Sequence, residues 1–522
     1  MTPVNVTYLE LELKDYPDKT LVLHLIICFR FGFRIGYSGP EFSNVARNLK
    51  SAETNPAPIT ENLITELKSN RLAGPFSQPP IPNFRTSPVG MIPKKEPNKF
   101  RIITDLSSPK GASVNDFIPD FEANVQFEGF DCAVNLVARI GRRALLAKLY
   151  IKSAFRICPV HPADWHLLGF TFRNLFFVDL CLPFGLRSSV NRFTRVADIL
   201  SWIMQKNYGI AYCTHYLDDF LIAGAPDSHD CQRDLNKTIQ LFDRLGIPLA
   251  PEKLVPPTTC LTYLGITLDS DNMEIRLPTE KLAEVMGLLE SWTATKKCTK
   301  RALLALIGKL SFCARIVPSG RTFLRRLIDL STSVGSLSHH ISLNAEARED
   351  IKWWLTFLPQ WNGKYKILEP GSTRCPDMQL FTDASGCEGF GIYFDGKWIS
   401  SQWPTKFATH SIQWKELFPI FVACYIWAPC FTGKRLLFHC DNQAVVNIWS
   451  ANTSRCPKIM SLVRKLFFVT AKYNFTVNVI HIAGTNNSLA DSLSRSQICK
   501  FRQLAPQAKE APTQIPPEIW AL

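Results

Sequence analysis

The sequence lacks several patterns that would assign it to common classes of protein. Its 16 cysteines include no C-x-x-C pair, and no cysteine and histidine quartet has the spacing of a zinc site. The first residues do not form a secretory signal. The early apolar stretch at 21–29 is far shorter than the ~20 residues that span a bilayer. We therefore expect an intracellular protein with reduced cysteines, in the cytoplasm, the nucleus or both, and no membrane segment.

The composition is that of a globular protein with a positive charge balance. Hydrophobic residues make up 46% of the 522 residues and charged residues 20%, which excludes a mostly disordered or fibrous chain. At ~150 residues per domain, the length suggests about three or four domains. The 59 Lys and Arg against 45 Asp and Glu give a net charge of +14. This balance favours a polyanionic partner such as nucleic acid, although an unrelated basic enzyme is equally compatible with charge alone.

The chain changes character several times along its length. Recurrent prolines at 74–93 enforce extended chain. Residues 94–270 then alternate short apolar strands with helical patterns, which indicates an α+β region. Residues 277–360 have helical periodicity with a basic rim, and 378–495 predict the order βββαβ(α)αβα. The Pro- and Gln-rich end of the chain predicts a linker.

Two adjacent carboxylates, Asp218 and Asp219, lie between two apolar, strand-like runs. Such a pair at a hairpin tip can hold a divalent metal ion through its oxygens, although a solvated turn is the commoner case. The surrounding order of motifs favours the functional interpretation. These motifs are the basic PKKEPNKFR at 93–101, AKLYIKSAF at 147–155, LPFGL at 182–186, APEKL at 250–254 and YLG at 263–265.

This ordered set resembles the motifs of reverse transcriptases. The resemblance implies a right-hand polymerase with fingers, palm and thumb, in which Asp218 and its partner Asp219 bind metal and Lys253 protonates the leaving pyrophosphate. Phe155 would be the steric gate against a ribose 2′-hydroxyl, and Arg187 would help to shape the floor of the site. The residues expected to contact the incoming nucleotide are Lys94, Arg101, Phe155, Phe184 and Gly185.

One position departs from the family pattern. The family has an aspartate five residues before the steric gate, and this chain has Tyr150 there. That carboxylate bridges both metal ions in a two-metal reaction, whereas a phenol with a pKa of ~10 is neutral. We therefore expect polymerisation to be absent or heavily impaired.

A second set of acids lies in the C-terminal region, on separate predicted elements. Asp383 and Asp441 end predicted strands, and Glu416 and Asp491 lie on predicted helices. Four converging carboxylates would bind two Mg²⁺ ions, which suits hydrolysis of a phosphodiester. The region resembles ribonuclease H, which implies cleavage of RNA in RNA–DNA hybrids. His481 either assists product release or merely ends a strand.

The resemblances together define an α+β multidomain chain, a right-hand polymerase followed by a ribonuclease H-like α/β domain. We expect an N-terminal segment (1–75), fingers and palm (76–270), thumb and connection (271–370), a ribonuclease H-like domain (371–497) and a linker tail (498–522). The expected cofactor is Mg²⁺, two per site, with Mn²⁺ as an alternative. The expected partners are an RNA template, a DNA primer, RNA–DNA hybrids and dNTPs; the sequence does not give the oligomeric state.

The type of element is a finer expectation. Strings such as KFRIITDLSSPKGASVND and HYLDDFLIAG look most like DIRS-like, tyrosine-recombinase retrotransposons. A gypsy-like LTR retrotransposon or a pararetrovirus is the alternative. For function, the alternatives are a hybrid nuclease that uses an inactive polymerase as a clamp, and a non-catalytic nucleic-acid-binding relic.

Overall fold

The computed structural model describes residues 2–93, 100–317, 320–362, 365–367, 377–473 and 475–521. The chain divides into two compact units, the first comprising Met1–Leu264 with Asp269–Asn272 and the second comprising Gly265–Leu268 with Met273–Leu522. Within the described part of the chain, every helix is too short or too polar to cross a membrane.

The first unit mixes helices and strands. Its α-helices are α1 (Val6–Glu12), α2 (Lys19–Phe31), α3 (Lys50–Thr54), α4 (Ala57–Lys68), α5 (Asp120–Ala123), α6 (Phe130–Ile140), α7 (Ser189–Lys206) and α8 (Asp230–Arg244). Its strands are β1 (Leu72–Phe76), β2 (Val89–Pro93), β3 (Phe100–Thr104), β4 (Leu145–Tyr150), β5 (Gly169–Phe172), β6 (Leu175–Asp179), β7 (Cys213–Tyr216), β8 (Asp219–Gly224), β9 (Val255–Thr258) and β10 (Cys260–Tyr263).

A four-stranded sheet in the order β7-β8-β4-β9 carries the first carboxylate pair. Strands β4 and β8 are antiparallel, and their register sets Tyr150 opposite Asp219. The buried face of the sheet packs on helices through a core that includes Leu149, Phe193 and Phe220. Phe29 of α2 belongs to the same core, so the N-terminal helices are built into this unit. Among the described residues, this unit also contains the sheet β1-β6-β5 and the antiparallel pair β2-β3.

The second unit begins with two short strands, continues through a mainly helical region and ends with a layered α/β domain. Its strands are β11 (Ile266–Asp269), β12 (Glu274–Arg276), β13 (Lys297–Thr299), β14 (His340–Ser342), β15 (Tyr365–Lys366), β16 (Met378–Ala384), β17 (Gly389–Phe394), β18 (Lys397–Gln402), β19 (Arg435–Cys440) and β20 (Thr476–His481). Its α-helices are α9 (Thr279–Thr293), α10 (Lys300–Cys313), α11 (Arg325–Thr332), α12 (Ala345–Trp361), α13 (Ile412–Phe431), α14 (Gln443–Ala451), α15 (Pro457–Tyr473), α16 (Ser488–Ser494) and α17 (Ile498–Leu504).

A five-stranded sheet in the order β18-β17-β16-β19-β20 forms the centre of the C-terminal domain. Strand β19 runs parallel to both β16 and β20, so the carboxyl ends of these three strands share one edge. Helix α13 begins at a Ser411 cap and continues through Pro419. Because proline has no amide hydrogen, it removes a single hydrogen bond here without ending the helix.

The segment predicted as a linker tail folds back onto this domain. Phe501 of α17, which is fully buried, and Ala505, directly after the helix, pack in one hydrophobic cluster with Trp398 of β18. Beyond the helix, the Thr513 amide donates to the Trp398 carbonyl at 2.8 Å. The prediction of a linker for 498–522 is therefore corrected. Proline content lowers helix and strand propensity, but it does not prevent apolar side chains from packing on a neighbouring sheet.

Candidate active sites

The first site lies at the tip of the β7-β8 hairpin, and we call Tyr150, Asp218 and Asp219 the hairpin site. Leu217 turns the chain with a φ of 54°. The Ile151 amide then donates to the Asp218 carbonyl at 2.9 Å, and the Tyr263 hydroxyl donates to the Asp219 carbonyl at 3.2 Å. These bonds fix the backbone of both acids against β4 and β10, so the two carboxylates have defined positions.

Tyr150 and Lys253 fill the space beside this carboxylate pair. The Tyr150 hydroxyl interacts with the neighbouring Asp218 carboxylate, and this interaction contributes to the raised pKa of the phenol. The Lys253 ammonium lies over the Tyr150 ring, 3.3 Å from its centroid, which is a cation–π contact. Burial raises the pKa of Asp218 and Asp219 above the ordinary range, and it also raises that of the Tyr150 phenol. The phenol therefore stays neutral at physiological pH.

The residues expected to contact a nucleotide form an aromatic cluster. Phe155 is 9% exposed and Phe184 is 44% exposed, and their ring centroids are 5.1 Å apart. The Arg101 guanidinium lies 5.7 Å from the Phe184 centroid. Gly185 has a φ of 91°, and a Cβ there would lie 3.1 Å from the Thr104 carbonyl oxygen, so this turn requires glycine. Lys94 lies outside the described residues.

Arg187, which we expect to help shape the floor of the site, anchors the turn that follows Gly185. Its guanidinium donates to the Ile118 carbonyl at 2.9 Å and contacts Asp120, and its amide donates to the Asn115 side chain at 2.9 Å. The side chain therefore ties the turn after Gly185 to a neighbouring loop.

The second site lies at the shared strand edge of the C-terminal domain, and we call it the four-acid site. Its members are Asp383 on β16, Glu416 on α13, Asp441 directly after β19 and Asp491 on α16. Oxygen atoms of Glu416 and Asp441 and the Cys440 sulfur all lie within 4.8 Å of one another. The charges of Asp441 and Asp491 both act on Asp383. The structure thus brings together the four acids that the sequence places on separate elements.

Burial and neighbouring charges raise the pKa values of Asp383, Glu416 and Asp441. Burial, followed by the charges of Asp383 and Asp441, raises the pKa of Glu416 to about 9. Burial, with the charges of Asp441 and Asp491, raises the pKa of Asp383 to about 6. Burial likewise raises that of Asp441. Buried carboxylates that repel one another are stabilised by a cation, which is the behaviour of a metal-binding site.

Three neighbours complete the four-acid site. The Ser494 hydroxyl donates to the Asp383 carboxylate, and the Arg495 guanidinium donates to Asp491 at 2.7 Å. Sequence reasoning missed Ser494, although its position three residues after Asp491 on a helix was a usable signal. His481 ends β20, and its charged form acts on Asp441.

The two sites differ in how well they fit a pair of divalent cations. The four-acid site offers carboxylate oxygens on converging elements, which are the ligands that Mg²⁺ prefers. The hairpin site has two carboxylates, one of which interacts with the Tyr150 hydroxyl, and Lys253 lies over the Tyr150 ring. A neutral phenol and an ammonium do not replace a bridging carboxylate, so the hairpin site does not fit two metal ions.

A family of known proteins matches much of the first unit in sequence. Residues 92–268 match the family described as reverse transcriptase (RNA-dependent DNA polymerase), a family that generally uses divalent metal ions. The matched region contains the hairpin site.

Curated relatives extend the similarity over most of the chain. The Pol polyprotein of transposon 412 from Drosophila melanogaster is 21% identical over 438 residues, covering 80% of this chain and 32% of the relative. The transposon Tf2-3 polyprotein from Schizosaccharomyces pombe is 20% identical over 425 residues, covering 78% of this chain and 29% of the relative. The chain thus spans about a third of these relatives. Both relatives are polyproteins of transposons, and the part of this chain that they match includes the region similar to the reverse transcriptase family.

Solved structures show the same fold. The foamy viral protease–reverse transcriptase in complex with dsDNA is 16% identical with a TM-score of 0.53, covering 92% of this chain and 98% of that chain. The structure of that enzyme with an RNA/DNA hybrid is 14% identical with a TM-score of 0.52, covering 91% of this chain and 63% of that chain. The predicted fold class, a polymerase fold followed by a ribonuclease H-like domain, is confirmed.

Proposed function

We propose that this chain is the reverse transcriptase and ribonuclease H region of a retroelement polyprotein, and that its four-acid site hydrolyses RNA in RNA–DNA hybrids. The observation that carries the proposal is the convergence of four carboxylates from two strand ends and two helices on one edge of the sheet. A structural neighbour was solved with an RNA/DNA hybrid, which supports a hybrid as the substrate class.

In this reaction Mg²⁺, when bound, would polarise the phosphodiester and activate water. The acids of the four-acid site would hold it, and Ser494 would orient Asp383 through its hydrogen bond. A water oxygen would bond to phosphorus as the P–O3′ bond breaks, which leaves a 5′-phosphate and a 3′-hydroxyl. His481 is our candidate for assisting product release, because it lies at the end of the strand next to Asp441.

We propose that polymerisation is absent or heavily impaired in this chain. The hairpin site lacks the third carboxylate. A nucleotide bound by Arg101, Phe155 and Phe184 would therefore lie beside an incomplete set of metal ligands. If position 150 were an aspartate, the same residues would support RNA-templated DNA synthesis from dNTPs, and Lys253 would donate a proton to the leaving pyrophosphate.

One preparation tests both halves of the proposal. Primer extension on an RNA template and cleavage of an RNA–DNA hybrid are measured with Mg²⁺ for the chain and for Tyr150→Asp. We expect both proteins to cleave the hybrid and only Tyr150→Asp to extend. Extension by the unaltered chain would contradict the polymerase argument, and absence of cleavage by either protein would favour a nucleic-acid-binding relic.

For the type of element we propose a DIRS-like retrotransposon, on the strength of the sequence strings around the hairpin site. The test is the genomic surroundings of intact copies. A tyrosine recombinase frame supports the proposal, whereas an integrase frame favours the gypsy-like alternative.

A further inference from the structure

The Lys253 ammonium is placed by the residue that replaced the family's aspartate. Tyr150 presents its ring face to the Lys253 ammonium at 3.3 Å and its hydroxyl to the Asp218 carboxylate. Lys253 lies at the end of a short 3-10 turn whose backbone is bonded to β4, because the Ala250 amide donates to the Tyr150 carbonyl at 3.0 Å. A phenylalanine ring at this position could contact the Lys253 ammonium but not the Asp218 carboxylate, and a serine hydroxyl would offer no ring to the ammonium. Tyr150 does both.

Two further cations act on the same carboxylate pair. The charge of Lys148 favours the ionised form of Asp219, and that of Arg101 favours the ionised form of Asp218. The charge of Lys253 favours the ionised form of both. Lys148 lies two residues before Tyr150 on β4 and so on the same face of the strand, and its ammonium donates to the Thr262 carbonyl at 3.2 Å. Three protein cations therefore act on two carboxylates, so a divalent ion would enter a cluster whose formal charge is already positive.

We infer that the hairpin site carries its own counter-ions and takes no divalent cation, with Lys253, seated on Tyr150, compensating Asp218 and Asp219. The surplus positive charge suits a phosphate group of a nucleic acid, which the site binds without Mg²⁺. This inference does not depend on catalysis at the four-acid site.

Counting bound Mn²⁺ on the full chain by electron paramagnetic resonance tests whether the hairpin site takes a divalent cation. We expect the double variant Asp218→Asn, Asp219→Asn to bind as many ions as the unaltered chain, and Tyr150→Asp to bind at least one more. The variant Asp383→Asn, Asp441→Asn is the matched control and should bind fewer. A lower count for the hairpin double variant would overturn the inference. An unchanged count for the control would instead contradict the proposed ribonuclease H site.

Binding of a template–primer in EDTA tests the second half. Lys253→Gln should weaken binding by roughly threefold to tenfold at low salt, as expected for one lost phosphate contact, and Lys253→Arg should restore it. Lys152→Gln, at an exposed lysine just beyond β4, is the matched control and should change affinity less than about twofold. Circular dichroism of each variant checks that it is folded.

The same assay separates a strand phosphate from a nucleotide as the ligand. Competition by a nucleoside triphosphate in EDTA would identify the triphosphate as the source of the phosphate, and its absence would identify the strand backbone. If Mg²⁺ tightens template–primer binding by the unaltered chain but not by the hairpin double variant, the site does take a divalent cation and the inference is wrong.

Discussion

At the hairpin site, the charges of Lys148, Lys253 and Arg101 act on two carboxylates. At the four-acid site, four carboxylates act on one another, and the cationic groups that act on them are Arg495 and His481. Both sites lie where strands end, and both hold their acids at least partly out of solvent. The difference in charge shows that position in a sheet does not make a metal site. The sign of the surrounding side chains decides whether buried acids need an external cation or already have an internal one.

The largest expected effect is loss of hybrid cleavage when the four-acid site loses a charge. Asp383→Asn should lower the cleavage rate by on the order of 10³-fold, because one carboxylate fewer holds the catalytic ions. The rate is measured on a labelled RNA–DNA hybrid under single-turnover conditions. Asp395→Asn, in the exposed turn after β17, is the control and should cleave normally. Equal rates for both variants would remove the distinction between the two sites.

The second prediction concerns a substitution that should turn the hairpin site into a metal-binding site. Tyr150→Asp should raise primer extension by on the order of 10²-fold or more, because it restores a bridging carboxylate and frees Lys253 from the ring. Tyr150→Phe keeps the ring beneath Lys253 but loses the hydroxyl, so it should not extend. If Tyr150→Phe extends as well as Tyr150→Asp, the obstacle is the interaction of the Tyr150 hydroxyl with Asp218 and not the missing carboxylate.

The third prediction concerns pH and separates the sites by their need for metal. Without a cation, the pKa of Glu416 is about 9 and that of Asp383 about 6, so protons compete with Mg²⁺ for these oxygens. Raising the pH removes the competing protons. The Mg²⁺ concentration for half-maximal cleavage should therefore fall as pH rises from 6 to 8, by up to about tenfold per unit.

The control for this pH effect is the hairpin site. Template–primer binding in EDTA should change little over the same pH range, because its counter-ions are lysine and arginine side chains that stay charged. A Mg²⁺ requirement for cleavage that does not change with pH would show that protons do not compete at the four-acid site.

Much of both sites could be predicted from the sequence, because the acids follow strand-like runs or lie on helical patterns. Asp383 and Asp441 follow this rule, since the ends of parallel strands meet at one edge. The contact between Lys253 and Tyr150 could not be predicted. It depends on how closely a short turn approaches β4 and on the side-chain rotamers, neither of which a spacing encodes. The packed tail did leave a signal, because Phe501, Ala505 and Ala508 recur at helical spacing.

The last prediction tests whether the tail supports the four-acid site. Phe501→Ala should lower the free energy of unfolding of the second unit by about 3–5 kcal/mol, because it leaves a cavity against Trp398 and Leu493. Leu493 lies on α16 beside Ser494 and two residues from Asp491, so the loss should also weaken Mn²⁺ binding there. Leu504→Ala, at a position that is 46% exposed on the same helix, is the matched control and should cost less than about 0.5 kcal/mol. Both are measured by urea unfolding with and without Mn²⁺. If Phe501→Ala unfolds at the same urea concentration as Leu504→Ala, the tail is a linker after all. The two sites would then differ in the charges around their acids, and packing of the tail on Leu493 would add nothing to the stability of the four-acid site.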